Sequence, residues 1–177
     1  MTGEETFHPD TRALLAYGRT FAVGGPPPQP TGASRVLERL FVVECTKSGR
    51  LPVRSFGAEL VELFGRDMRD HDFLSLFLHP DQALLFARID AADAACAPAL
   101  ARVAAETRGG TRFGAELLFT PLRLEPSFGR RHLGLFQPLG GESFAVGEGI
   151  GRLRLGSLHP PEAKAPPSVR LVVSNQS

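Results

Sequence analysis

Residues Leu51–Gln82 read LPVRSFGAELVELFGRDMRDHDFLSLFLHPDQ, and the order of local signals in this stretch decides the fold. Leu51, Val53 and Ser55 alternate with Pro52, Arg54 and Phe56, the two-residue period of a strand. Ala58 and Val61 then recur three apart, and Leu60 and Phe64 four apart, so a helix with one apolar side follows. Gly65 comes directly after the last periodic residue, where a left-handed cap is wanted and only glycine enters that conformation cheaply. His79 precedes Pro80 at a first helical position, and Asp81 lies where the helix dipole favours negative charge. Strand, helix, polar turn, apolar segment and a new helix start are expected in that order.

Working outward, Leu40–Cys45 (LFVVEC) has the aromatic and β-branched content of a strand, and Lys47-Ser48-Gly49-Arg50 is a hairpin turn into the next one. Further upstream, Asp10-Thr11 offers a helix N-cap. Leu14, Tyr17 and Phe21 repeat at helical spacing, which predicts a helix over 11–22 with one apolar stripe. That stripe has to be buried on the domain's own sheet or against another subunit. Gly24-Gly25-Pro26-Pro27-Pro28 ends the helix, and a short helix is expected over 33–39 with Val36 and Leu37 pointing inward.

Downstream, steps of four, three and four place Leu85, Ile89, Ala92 and Cys96 on one helical face. The period then changes to two. Ala101, Val103 and Ala105 share a face opposite Arg102 and Glu106, Gly109-Gly110 turns the chain, and Phe113, Ala115, Leu117 and Phe119 continue the apolar side. A last core strand is expected over 133–137. From Gly140 onward, glycines at 147, 149, 151 and 156 and prolines at 160, 161, 166 and 167 predict a flexible tail, with a short edge strand at Ser168–Val173 as the one candidate element. The resulting expectation is an α+β chain in three parts. Residues 1–39 form a helical extension and Pro-rich link, 40–139 a domain with a five-stranded antiparallel sheet and helices on one face, and 140–177 the tail.

The totals exclude several classes. The chain has 177 residues, a formal charge of +1, 42% apolar and 22% charged residues. That balance gives no reason to expect a nucleic acid or an anionic membrane as the partner. No window reaches the roughly 18 consecutive apolar residues of a membrane span. The start, MTGEETFHPD, is polar and acidic, unlike an export signal, so a cytoplasmic protein is expected. Cys45 and Cys96 lie in apolar contexts without CxxC spacing and are expected to be buried free thiols.

Two strands, a helical middle and a three-stranded meander is an order that resembles the PAS fold. Leu63-Phe64-Gly65-Arg66-Asp67 resembles the PAS segment in which a helix ends at glycine followed by arginine and a polar residue. Phe73-Leu74-Ser75-Leu76-Phe77 with His79-Pro80-Asp81 resembles the later run in which a short apolar helix meets a His-Pro-acid start. Leu14-Leu15-Ala16-Tyr17, the Pro-rich link and the short helix are similar to the single-domain PAS family of alphaproteobacteria formerly listed as a domain of unknown function. The resemblance spans about Thr11 to Leu139. It departs at Gly18, where that family would place a tryptophan beside the tyrosine.

The resemblance implies a sensory or interaction module of a bacterial signalling pathway. Such a domain binds a small molecule between sheet and helices, or dimerises and binds partners through the sheet and N-terminal helix. With no output domain recognisable in the tail, the signal is expected to pass to another protein. Phe41, Val43, Phe64, Phe77, Leu85, Phe86, Ile89, Leu117, Phe119 and Leu135 are the residues expected to face the sheet–helix space. There they either fill it or line a pocket for a small apolar ligand, with Arg66 or Arg102 as a polar anchor. Leu14, Tyr17 and Phe21 are the expected homodimer contacts.

Specific chemistry is not signalled. A flavin photoreceptor of this class needs a cysteine just after the Gly-Arg pair, and the chain has Gly65-Arg66-Asp67-Met68. A haem would need an axial histidine, yet His71 lies in a charged run and His79 at a helix start. His132 is expected to begin the last strand. Glu59, Glu62, Asp67, Asp70 and Asp72 are interleaved with arginines, and no HExxH, GxSxG or phosphate loop is present. The expectation is therefore a non-enzymatic regulator that takes no cofactor or metal and acts through a partner signalling protein. A small-molecule sensor is the alternative. A cone-shaped α+β enzyme is the third reading, disfavoured because strands precede the main helices.

Overall fold

In a computed structural model, residues 7–23, 34–122 and 126–159 are described. The central stretch follows its local signals. Strand β2 covers Val53–Phe56, and helix α3 covers Ala58–Phe64. Gly65 ends α3 in the left-handed conformation at φ 63°, its N–H donating to the Glu62 carbonyl, the cap that a residue with a Cβ would resist. Asp72 starts a 3-10 turn over Phe73–Leu76: its Oδ1 accepts from the N–H of Leu74 at 3.1 Å and of Leu51 at 2.9 Å. Residues 70–73 run along the outer edge of β2. Asp70 N–H donates to the Val53 carbonyl, Val53 N–H to the His71 carbonyl, and Phe73 N–H to the Leu51 carbonyl. That edge of the sheet is thereby covered. Helix α4 spans His79–Ala94, with Pro80 in its first turn.

These elements attach to a sheet whose strands all pair antiparallel. Strand β1 is Leu40–Cys45, β3 is Ala99–Thr107, β4 is Arg112–Leu122, β5 is Arg130–Pro138 and β6 is Ile150–His159. Their order is β2-β1-β5-β4-β3-β6. The sheet therefore has six strands rather than five, and Ile150–His159, expected within a flexible tail, is the sixth, joined to β5 by an ordered connector. One of its glycines serves the packing. Gly149, at φ 72°, lies so close to the Phe64 carbonyl and Gly65 that a Cβ would overlap them. Beyond it Ile150 and Leu153 are buried in the main core. Asp81 on α4 accepts from the N–H of Leu155 at 3.0 Å, and Arg88 donates to the His159 carbonyl at 3.1 Å, so α4 tethers the second sheet edge as well. The Ser168–Val173 candidate lies outside the described residues.

The two faces of the sheet are buried differently. Helices α3 and α4 cover the inner face. The outer face is covered in part by helix α1, Pro9–Val23, in contact with β4 and β5. The buried positions on α1 are Thr11, Leu15 and Gly18, so the stripe is centred one residue away from Leu14 and Tyr17, which are half-buried beside it. The side chain of Phe21 lies outside the description. Leu15 packs with Leu100, Leu118 and Leu135. Gly18 explains its own departure from the family pattern: a Cβ there would come within 2.7 Å of Thr120 on β4. A tryptophan has no room at this crossing.

Two smaller expectations are corrected. Helix α2 is Ser34–Glu38, and on it Val36 is half-buried while Leu37 is exposed. Cys96 is also exposed, because α4 ends at Ala94 and Cys96 turns away at φ 50°, which breaks the helical period that placed it beside Ala92. Cys45 is a buried free thiol. Among the described residues no helix is long and apolar enough to cross a membrane.

Candidate functional site

The space between the inner sheet face and the helices, where a small ligand is one expectation, is packed with aromatic rings. Phe41 on β1 stacks on Phe73 with centroids 4.8 Å apart and planes at 14°. Phe119 on β4 meets both edge-on, at 5.7 Å from Phe41 and 6.0 Å from Phe73. Phe77 adjoins Phe73 at 6.2 Å. Phe56, Phe64 and Phe136 extend the cluster, with Phe64 5.5 Å from Phe56 and 5.3 Å from Phe136. These are the offset and edge-to-face distances at which aromatic pairs attract.

The position of Phe41 depends on a glycine. Phe41 and Gly134 are direct partners in the β1–β5 register. A Cβ at Gly134 would overlap three carbons of the Phe41 ring, so the ring lies flat on the sheet where every other residue would raise a side chain. With Phe73 stacked on its other face, Phe41 fills the floor of the site.

Of the ten expected lining residues, Phe41, Val43, Phe64, Phe77, Leu85, Ile89, Leu117 and Phe119 are buried in this core, and Phe86 packs against it half-buried. Leu135 is corrected: it belongs to the cluster under α1 on the opposite face. Since side chains alternate along β5, the inward members are His132, Gly134 and Phe136. The alternation was readable, but which parity faced inward was set only by pairing Phe41 with Gly134. Neither proposed anchor reaches the interior. Arg66 is exposed. Arg102 stands on the outer face, its guanidinium 5.0 Å from the Phe7 ring centroid and 3.7 Å from Glu116.

The inward parity of β5 brings together a group that sequence reading missed. His132 is fully buried. Its Nδ1 is 3.6 Å from the Cys45 Sγ, and its Nε2 is 3.5 Å from Asp93 Oδ1 near the end of α4. Arg130 clamps Asp93 and Asp90 at 2.6 Å each. The order thiol–imidazole–carboxylate has the connectivity of a nucleophilic triad, but its charges are wrong for one. Burial, opposed in part by Asp93, pushes the imidazole down to about 4. Burial, opposed by Arg130, pushes the thiol up to about 11. Both are neutral at pH 7, whereas a cysteine nucleophile needs thiolate. The group ties the end of α4 to β1 and β5.

Of Glu59, Glu62, Asp67, Asp70 and Asp72, all but Glu62 are engaged in ion pairs among the described residues. Arg50 pairs with Asp72, Arg54 with Asp70 and Arg69 with Asp67. Glu59 receives Arg39 at 2.7 Å. His71 and His79 are exposed. Among the described residues no cluster of three His, Cys, Asp or Glu is arranged to hold a metal.

A family model for the PAS domain matches residues 7–137. The chain belongs to the PAS-domain family. Solved structures with a similar fold include the LOV domain of a blue-light-activated histidine kinase from Erythrobacter litoralis, at 16% identity and a TM-score of 0.45, covering 57% of this chain and 94% of that one. The light state of the Aureochrome1 LOV photoreceptor is similar at 13% identity and a TM-score of 0.46, covering 63% and 88%. A cysteine-to-serine mutant of Vivid is similar at 16% and 0.46, covering 70% and 97%. Comparison with curated proteins finds no match. In this PAS domain the segment after α3 presents buried Met68 to the core. The connector after β5 and the whole of β6 lie beyond the residues that the family model matches.

Proposed function

We propose that this PAS domain is a non-catalytic signalling module that works by binding a partner protein and needs no resident small molecule. The observation that carries the reading is Phe41 lying on Gly134 under Phe73. The chain supplies its own aromatic ring where a flat apolar ligand would rest, and the surrounding rings pack at contact distance. The neutral thiol and imidazole of Cys45 and His132 support the non-catalytic part of the reading. The chain's charge balance supports a protein partner over nucleic acid or membrane, and the polar, acidic start MTGEETFHPD supports a cytoplasmic site of action.

Homodimerisation belongs to the same proposal. The sheet-facing stripe of α1 is used within the chain, so the dimer contact falls to its flank, where Leu14 and Tyr17 are half-buried and Phe21 follows at helical spacing. Sedimentation of the full chain across micromolar concentrations tests this part, and a monomer throughout removes it.

Denaturing mass spectrometry and an absorption spectrum of protein purified from its native source test the main reading. The expected result is no stoichiometric ligand and no visible chromophore. A ligand present at one per chain would overturn it in favour of a small-molecule sensor that opens the aromatic cluster.

A further inference from the structure

Between β5 and β6 the chain builds a second feature against α3. Gly140 and Gly141 take positive φ values of 117° and 82°, and a 3-10 turn follows over Glu142–Ala145. This connector has a fixed shape. Phe144 N–H donates to the Gly141 carbonyl, Gly149 N–H to the Ala145 carbonyl at 2.8 Å, and the Gly149 carbonyl accepts from Arg108 N–H at 3.0 Å. Ala145 is buried, and Gly149 rests on the end of α3.

A groove of about 430 Å³ lies between connector and helix, lined by Glu59, Glu62, Leu63, Glu142, Ser143 and Val146. Its apolar surroundings are open to solvent: Val146 is 70% exposed and Phe144 59%. Charge is uneven here. Arg39 pairs with Glu59 and also feels Glu142. Glu62 and Glu142 have no ion-pair partner among the described residues. Three carboxylates line the groove and, among the described residues, no cationic side chain does, on a chain whose overall charge is +1.

We infer that this groove docks a basic, apolar segment of a partner protein, with arginine or lysine against Glu62 and Glu142 and an aliphatic side chain between Leu63 and Val146. An anionic, apolar-lined groove attracts that chemistry and repels phosphates and acidic peptides. A patch this small implies a transient complex of micromolar order. The inference rests on the partner-binding reading and assigns it a surface formed between α3 and the connector, of which only the connector lies beyond the matched residues.

The test is a random dodecapeptide display library panned on the full chain, followed by fluorescence anisotropy of enriched peptides labelled with fluorescein. Enriched sequences should carry at least two basic residues beside an aliphatic one. Their affinity should fall at least tenfold in Glu62→Lys/Glu142→Lys and in Val146→Asp, and weaken with salt. Glu62 and Val146 are exposed and Glu142 is half-buried. Circular dichroism checks that each variant folds, and if one does not, the other still decides. Four outcomes overturn the inference: no enrichment, no basic bias, equal binding to a folded variant, or binding that tightens tenfold when residues 160–177 are removed. The last would make the chain's own C-terminal segment the occupant. None of these outcomes bears on ligand content, so the ligand-free reading stands or falls on its own mass spectrum.

Discussion

If Phe41 fills a space that would otherwise take a ligand, removing its ring should create that space and make it usable. Phe41→Ala deletes a fully enclosed ring that touches Phe56, Phe73 and Phe119. Large-to-small changes of this kind cost about 3–5 kcal/mol, the transfer term plus a cavity term. At roughly 2–4 °C per kcal/mol for a chain of this size, Tm should drop by about 6–20 °C.

The complementary change, Gly134→Ala, adds a methyl where the ring lies. Phe73 blocks the ring from lifting away, so the overpacking cost should reach the upper part of the usual ~1–3 kcal/mol. In the double variant the new methyl enters the emptied space, and the two costs should fall short of their sum by at least about 1 kcal/mol. Urea unfolding followed by circular dichroism reads all four proteins. A dry apolar cavity binds benzene-sized molecules, so benzene should raise the Tm of Phe41→Ala and leave the wild type unmoved. Additive costs, or equal stabilisation of the wild type by benzene, would refute the reasoning. The space would then be open already.

His132 makes stability pH-dependent with a definite sign. Its pKa falls from the ordinary 6.5 to about 4 on folding, so the unfolded chain binds the extra proton first. The contribution is complete above 6.5 and is lost as pH falls toward about 4, by about 3 kcal/mol in total. His159 is also held low by burial, so urea midpoints of the wild type and His132→Gln should be compared between pH 7 and 4. A slope unchanged by the substitution contradicts the assignment. Gly18→Trp should lift α1 from Thr120 and raise hydrogen exchange in α1 before global unfolding; unchanged protection there would show that the crossing tolerates a side chain. Asp72→Ala should cost about 2 kcal/mol by orphaning the N–H groups of Leu51 and Leu74, and Asp72→Asn, which keeps an acceptor, should cost less than half as much in the same urea assay.

Reading the chain in order recovered most of the elements because their signals are local. Gly65 had to cap α3, Pro80 had to begin a helix, and Ala101-Val103-Ala105 had to share a face. Where reading failed, the deciding partner was distant in sequence. Leu135 went to the wrong side because strand alternation has two parities, and only the contact of Phe41 with Gly134 selects one. Gly149 looked like a breaker because a glycine's usefulness shows only when another backbone, here that of Phe64 and Gly65, approaches it. The His132–Cys45–Asp93 group joins two strands and a helix end that nothing in the linear order connects.

What the sequence determined by itself is the succession of strands and helices, the PAS-like frame and the missing thiol after Gly65-Arg66. All three follow from backbone preferences and side-chain identity over a few residues. Only the tertiary structure decided that a sixth strand closes the edge beside β3, that α1 spends its stripe on its own sheet, and that Phe41 lies flat on Gly134 beneath Phe73. Each of these is a matter of what occupies a volume, and volumes are shared by residues far apart in the chain.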